Sequence, residues 1–161
     1  AADKTEVYVQ DIANKGPITP IVNDLASRFF PDVAGDTMFL HTNWKAPKNR
    51  ILAVDLKNPA RDHWREVVPE SDAVIENMDL VGGKLVVTYT QNASSRVKVF
   101  ETGGKFVRDV PLPAIGSFSG FAGRWESSEA CRDDRQTVAG IDRCWRRCRH
   151  GAAGSAGQPV C

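Results

Sequence analysis

The stretch DRCWRRCRH (Asp142 to His150) places Cys144, Cys148 and His150 among four arginines and a tryptophan, which offers two chemistries. Thiolate and imidazole are ligands for zinc, and arginine beside an aromatic ring suits a nucleic-acid strand. Spacing argues against the metal. Structural zinc sites draw on two closely spaced ligand pairs, whereas only Cys144 and Cys148 stand close enough, with Cys131 and Cys161 far to either side. Nor does spacing select a disulfide, since four cysteines allow about three pairings. The net charge of residues 131–161, about +3, supports no more than weak, salt-sensitive contact with nucleic acid. We therefore expect no metal, no cofactor and no nucleic-acid partner.

Hydrolytic chemistry would need a nucleophile presented to a base. GSFSG (Gly116 to Gly120) approaches the G-x-S-x-G turn, but Phe118 occupies the position of the serine, so Ser117 and Ser119 read as strand or turn hydroxyls. His41 falls in a strand pattern and His63 in a polar turn with Arg61 and Asp62. With no serine or cysteine to pair with, both read as structural or solvent-facing. Asn92-Ala93-Ser94 fits the N-x-S glycosylation pattern and reads as a chance occurrence. Arg96 and Lys98, with Arg108, are expected along one edge or face, either lining a channel or solvating an outer strand. Trp64 and Trp125 read as packing aromatics. No residue is assigned as catalytic, cofactor-binding or metal-ligating.

These side chains sit on 161 residues that are 42% hydrophobic and 25% charged with a net charge of +1. That length suits one globular domain, and the charge balance gives no global attraction to nucleic acid, a membrane surface or an acidic substrate. No apolar run approaches the roughly 20 residues of a spanning helix. The start, AADKTEVYVQD, has neither a basic nor an apolar leader segment, and its lack of methionine reads as a processed or excised piece. We expect no membrane partner and a cytoplasmic location, or alternatively a periplasmic one.

Over the first 130 residues, short alternating runs rich in β-branched and aromatic residues are separated by Gly, Pro, Asn and Asp. Strands are predicted at residues 6–12, 26–32, 37–42, 50–56, 64–68, 74–81, 84–90, 96–101, 106–110 and 117–122, with no substantial helix. The pattern also repeats: GDTMFLHTNWKAPKNRILAVD aligns with GGKLVVTYTQNASSRVKVFE, setting Gly35 over Gly82 and Arg50 over Arg96. Four short strands in a unit of about 40 to 50 residues make a β-propeller blade. The expected fold class is therefore all-β, a partial β-propeller. It comprises one leftover N-terminal strand, blades at about 21–68 and 74–110, a third opening at about 116, and an irregular C-terminal tail. VGGK and TGGK are expected to supply positive φ angles at hairpin turns.

Three linked motifs carry a family resemblance. A TN…AP…R…D pattern spans Thr42 to Asp55, WREVVPE spans Trp64 to Glu70, and PLPAIGSFSGFAG spans Pro111 to Gly123. In this order, over residues 4–130, they resemble the propeller domain of the prolyl oligopeptidase family of serine peptidases. The resemblance implies a parent enzyme that cuts short peptides after proline with a Ser, Asp, His triad on a separate α/β-hydrolase domain. The propeller would cap that site and admit only small peptides. No hydrolase domain stands in these 161 residues, so the expectation is a substrate-gating fragment, inert alone, whose partners are that domain and the remaining blades.

The resemblance stops at Cys131. Residues 131–161 hold six arginines, no lysine and all four cysteines, whereas the first 130 residues hold no cysteine. Such an abrupt change reads as a shifted reading frame in GC-rich coding sequence, which the DNA flanking codon 131 would test. Two alternatives from other classes are a self-associating propeller-type interaction module and a tail-borne zinc or nucleic-acid binder.

Overall fold

The computed structural model describes residues 4–112, 121–123 and 130–132. Among the described residues, twelve short strands, all paired antiparallel, form four sheets and no α-helix occurs. Strands β1 (Val7–Val9) and β2 (Thr19–Val22) pair with each other. The first four-stranded sheet is β3 (Phe29–Ala34), β4 (Thr37–Thr42), β5 (Arg50–Asp55) and β6 (Arg65–Val68) in simple meander order. The second repeats the meander with β7 (Val74–Val81), β8 (Lys84–Gln91), β9 (Ser94–Glu101) and β10 (Phe106–Val110). Beyond it, β11 (Phe121–Gly123) pairs with β12 (Ala130–Arg132).

The first strands of successive sheets, β3, β7 and β11, lie side by side, as they do around the axis of a propeller. This is an all-β partial propeller with two complete blades. The sequence repeat has a direct structural basis: Gly35 and Gly82 occupy the turns between the first and second strand of each blade, at φ of 58° and 56°. Both angles lie in the left-handed region that side chains avoid. VGGK behaves as expected at both glycines, whereas in TGGK only Gly104 takes a positive φ.

Side-chain alternation distributes each central strand between two cores. From β4 and β5, Met38, Leu40, Leu52 and Val54 join Val7, Ile21, Val22 and Phe29 on one face of the first blade. Phe39, Ile51 and Ala53 point the other way, into the core shared with Ile75, Leu85, Val87, Tyr89 and Phe100 of the second blade. The far face of the second blade carries Val86, Val97, Val99 and Val110. Central strands such as β4 and β5 are therefore apolar along nearly their whole length, as expected when both faces are covered.

Two sequence expectations are corrected. The N-terminal region holds two strands, not one: β2 pairs with β1 despite Pro20, a residue that an edge strand tolerates. Ile21 accordingly lies in this preceding pair rather than in the first blade. The strand expected at 26–32 runs from Phe29 to Ala34, since pairing with β4 fixes its register from Phe29↔Thr42 to Ala34↔Thr37 despite the poor strand residues Pro31 and Asp32. Of the strand expected at 117–122, residues 117–120 lie outside the described residues, and β11 begins at Phe121. Strand β12 spans residues 130–132, with Ala122 paired with Cys131 and Phe121 with Arg132.

Candidate functional site

The two blades meet along a seam in which main-chain atoms make the critical contacts. Ile75, completely buried near the start of β7, sends its N–H to the carbonyl oxygen of Lys48 at 3.0 Å. Its own carbonyl accepts from Asn49 Nδ2 at 2.7 Å and from His41 Nε2 at 3.2 Å. The ladder between β7 and β8 shifts register between Ile75 and Asn77, a bulge that frees the Ile75 backbone for the neighbouring blade. Lys48 reinforces the same junction. Its N–H meets Glu70 Oε1 at 2.6 Å and its ammonium meets the Asp72 carbonyl at 2.9 Å.

His41 thus has a structural assignment. A carbonyl can only accept, so the ring is the Nε2–H tautomer, and burial pushes its pKa below the ordinary value of 6.5. The Ile75 hydrogen bond and the Glu76 charge oppose that shift, and Arg28 adds to it. His63 stands exposed in a single 3₁₀ turn (Arg61–His63), with Nε2 3.9 Å from Asp62 Oδ2. The partner of His41 is thus a backbone carbonyl, and the neighbour of His63 is a carboxylate.

Trp64 packs as an aromatic of the first blade. Its ring lies 5.9 Å from Trp44 and 6.5 Å from Phe29, both edge-on or tilted, and its indole N–H donates to the Pro59 carbonyl at 3.0 Å. Arg50 lies 5.2 Å over Trp44, and Arg61 lies 5.7 Å over Trp64 while pairing with Asp24. Trp125, Ser117, Phe118, Ser119, Cys144, Cys148, His150 and Cys161 lie outside the described residues; of Cys131 only the strand pairing is described.

At one end of the seam the first blade's sheet stops at Val68 and leaves a cleft of about 210 Å³. Val68, Pro69 and Phe100 contribute apolar surface, and Tyr89, Arg96 and Lys98 reach in from the second blade. Register explains the grouping: Tyr89 is directly opposite Arg96, and Val87 opposite Lys98, so all four share one face. Lys98 sits 5.6 Å from the Tyr89 ring and 5.9 Å from the Phe106 ring. Burial alone pushes the Tyr89 phenol up to about 12.

The expectation that Arg108 joins Arg96 and Lys98 is corrected here. A bulge between Phe106 and Arg108 sets Arg108 opposite Val99, on the other face, and brings Asp109 opposite Lys98. Tyr89 and Asn49 were missed from sequence. Period two on β8 and β9 would have exposed Tyr89 as the neighbour of Arg96, while nothing local marks Asn49 as a partner of Ile75. The sequon Asn92-Ala93-Ser94 is the tip of the β8–β9 hairpin, with Asn92 and Ala93 at φ of 50° and 59°.

A family model described as the prolyl oligopeptidase N-terminal β-propeller domain matches residues 1–132. The prolyl endopeptidase of Elizabethkingia miricola is 33% identical over 130 residues, covering 80% of this chain and 18% of that protein. That of Elizabethkingia meningoseptica is 34% identical over 124 residues, covering 76% of this chain and 17% of that protein. The chain thus spans less than a fifth of the length of these curated relatives. Among solved structures, one from a study of two prolyl endopeptidases and the role of inter-domain dynamics in their catalysis and specificity superposes with a TM-score of 0.75 at 32% identity. It is matched over 80% of this chain and 19% of its own. Prolyl oligopeptidase B from Galerina marginata, bound to a 35mer hydrolysis and macrocyclization substrate, has a TM-score of 0.69 over 80% of this chain and 19% of its own, and at 20% identity it supports the fold alone. Strand order, blade repeat and sequence match converge, and the chain belongs to the prolyl oligopeptidase family, carrying part of its N-terminal β-propeller domain.

Proposed function

We propose that this chain contributes to the substrate-gating propeller of a prolyl oligopeptidase-type serine endopeptidase. In this reading it restricts what reaches a hydrolase domain bearing the catalytic triad, and it has no peptidase activity of its own. The match of residues 1–132 to the family's propeller domain carries the proposal. The use of His41 supports the second part, because its Nε2–H is committed to a backbone carbonyl. A base occupied in this way cannot take a proton from a nucleophile through the same nitrogen. The partners are the hydrolase domain and the remaining blades, the setting is cytoplasmic, and the arginine- and cysteine-rich tail beyond residue 132 adds nothing to the gate. No finding favours the self-associating alternative, and the zinc or nucleic-acid alternative rests on residues outside those described.

A chimera tests the gate. Residues 4–132 would replace the matching segment of the Elizabethkingia miricola prolyl endopeptidase, and hydrolysis of a short and of a long proline-containing peptide would be compared. Retained cleavage of the short peptide with continued exclusion of the long one is expected; equal cleavage of both would overturn the gating role. Hydrolysis by the isolated chain, abolished by a serine-directed phosphonate, would overturn its inertness.

A further inference from the structure

We propose that the cleft at the end of the inter-blade seam is a binding site for a peptide carboxylate, held by Lys98 and Arg96 over an apolar floor of Val68, Pro69 and Phe100. This goes beyond a gating role and does not depend on it, since the site lies wholly within this chain.

Four observations single the cleft out from an ordinary solvated surface. First, its lining includes two cations, a phenol, an amide (Gln91) and a hydroxyl (Ser71), and not one acidic residue. Second, neither Lys98 nor Arg96 has an ion-pair partner among the described residues, whereas Lys48, Lys57 and Lys84 each have one. Even Asp109, directly across from Lys98 on β10, forms no ion pair with it. Third, the Lys98 stem is half-buried and its ammonium is held near the Tyr89 and Phe106 rings. Its charge is therefore positioned at lower entropic cost than that of a free surface lysine. Fourth, Tyr89 is buried in the core shared by the blades and stays protonated far above neutral pH, so it offers a donor and never a competing negative charge.

The ligand class follows from the same residues. Two monovalent cations side by side favour an anion, and charge-assisted hydrogen bonds to a carboxylate are the strong ones available to Lys and Arg. The apolar floor favours an anion on a hydrocarbon stem, which a phosphate ion lacks. The volume of about 210 Å³ suits one side chain or chain terminus rather than a folded partner. A glutamate side chain and a peptide C-terminus present the same group, and the experiment separates them.

The full chain, ¹⁵N-labelled, would be titrated by NMR with four probes: Ac-Ala-Glu-Ala-NH₂, Ac-Ala-Ala-Ala with a free C-terminus, Ac-Ala-Gln-Ala-NH₂ and inorganic phosphate. Saturable shifts around Tyr89 and Lys98 are expected with one or both carboxylate peptides, the tighter one identifying the source, and none with the glutamine peptide. Lys98→Gln should weaken binding by about tenfold or more. Arg96→Gln, at the more exposed cation, should weaken it less, and Arg65→Gln, on the outer strand β6, should leave it unchanged. Asp109→Asn removes the negative charge opposite Lys98 and should tighten binding by raising the local positive potential, an outcome that loss of fold could not mimic. Equal response to the glutamine peptide, stronger binding of phosphate, or unchanged affinity in Lys98→Gln would each overturn the proposal.

Discussion

His41 Nε2 stands 3.2 Å from the carbonyl oxygen of Ile75, a side chain of one blade bonded to the first strand of the next. The acceptor is shared with Asn49, so the seam depends on two donors converging on one buried oxygen.

Removing the imidazole tests that dependence. His41→Ala leaves a buried carbonyl with one donor fewer and the Phe30 ring without its neighbour at 5.7 Å, and should cost about 1–3 kcal/mol. His41→Gln restores an N–H and should recover part of the loss. Chemical denaturation of both variants at pH 7.5 checks it.

The same residue sets a pH dependence. Burial lowers the folded-state pKa of His41 below its ordinary 6.5, so above that value the ring is neutral in both states and its contribution is fully present. As pH falls below it, the unfolded chain takes up a proton that the folded chain resists, and stability declines. Denaturation midpoints from pH 7.5 to 5 should fall more in the parent chain than in His41→Gln.

Gly104 answers for the other contact of the seam. A Cβ built there would collide with the Val67 carbonyl oxygen, and its φ of 94° is itself unsuited to a side chain, whereas Gly103 has open space around it. Gly104→Ala should cost about 2–4 kcal/mol and Gly103→Ala less than about 1 kcal/mol. Thermal melts of the two variants side by side separate a steric effect from a general dislike of alanine in this turn.

At the β8–β9 hairpin the expected effect has the opposite sign. Ala93 holds a φ of 59° at the second central position of a two-residue turn, where glycine is the preferred residue. Ala93→Gly should stabilise the chain by about 1 kcal/mol, and a lower thermal midpoint would contradict the turn geometry.

Adjacent phenylalanines test the register of β3. Phe29 is 1% exposed beside Trp44 and Trp64, while Phe30 is 52% exposed. Phe29→Ala should cost about 3–5 kcal/mol and Phe30→Ala under about 1 kcal/mol. A reversed order would mean that the strand is displaced by one residue.

Most of the blades was legible because hairpin turns and alternation are local signals. Gly35 and Gly82 announce equivalent turns, and the strands between them keep their predicted positions from β4 through β10 with shifts of one or two residues. The errors fell where a partner overrules local preference: Pro20 hid β2, and Pro31 with Asp32 hid the end of β3 until β4 supplied the register. The site was less legible for a related reason. Arg96 and Lys98 share a face by simple alternation, but a bulge at Val107 carries Arg108 away, and bulges leave no dependable mark in a single sequence. His41 was read as structural from its strand setting; that its partner would be the Ile75 backbone, 34 residues away, could come only from the packed blades.

One amide among the described residues reports on the parting of the blades. The Ile75 N–H is bonded across the seam to Lys48 and not within its own sheet, so its exchange with solvent deuterium requires the blades to part. Amides of the β8–β9 ladder exchange only when the sheet itself opens. The ratio of the two protection factors would therefore clock blade separation independently of blade melting, with a single residue as the stopwatch.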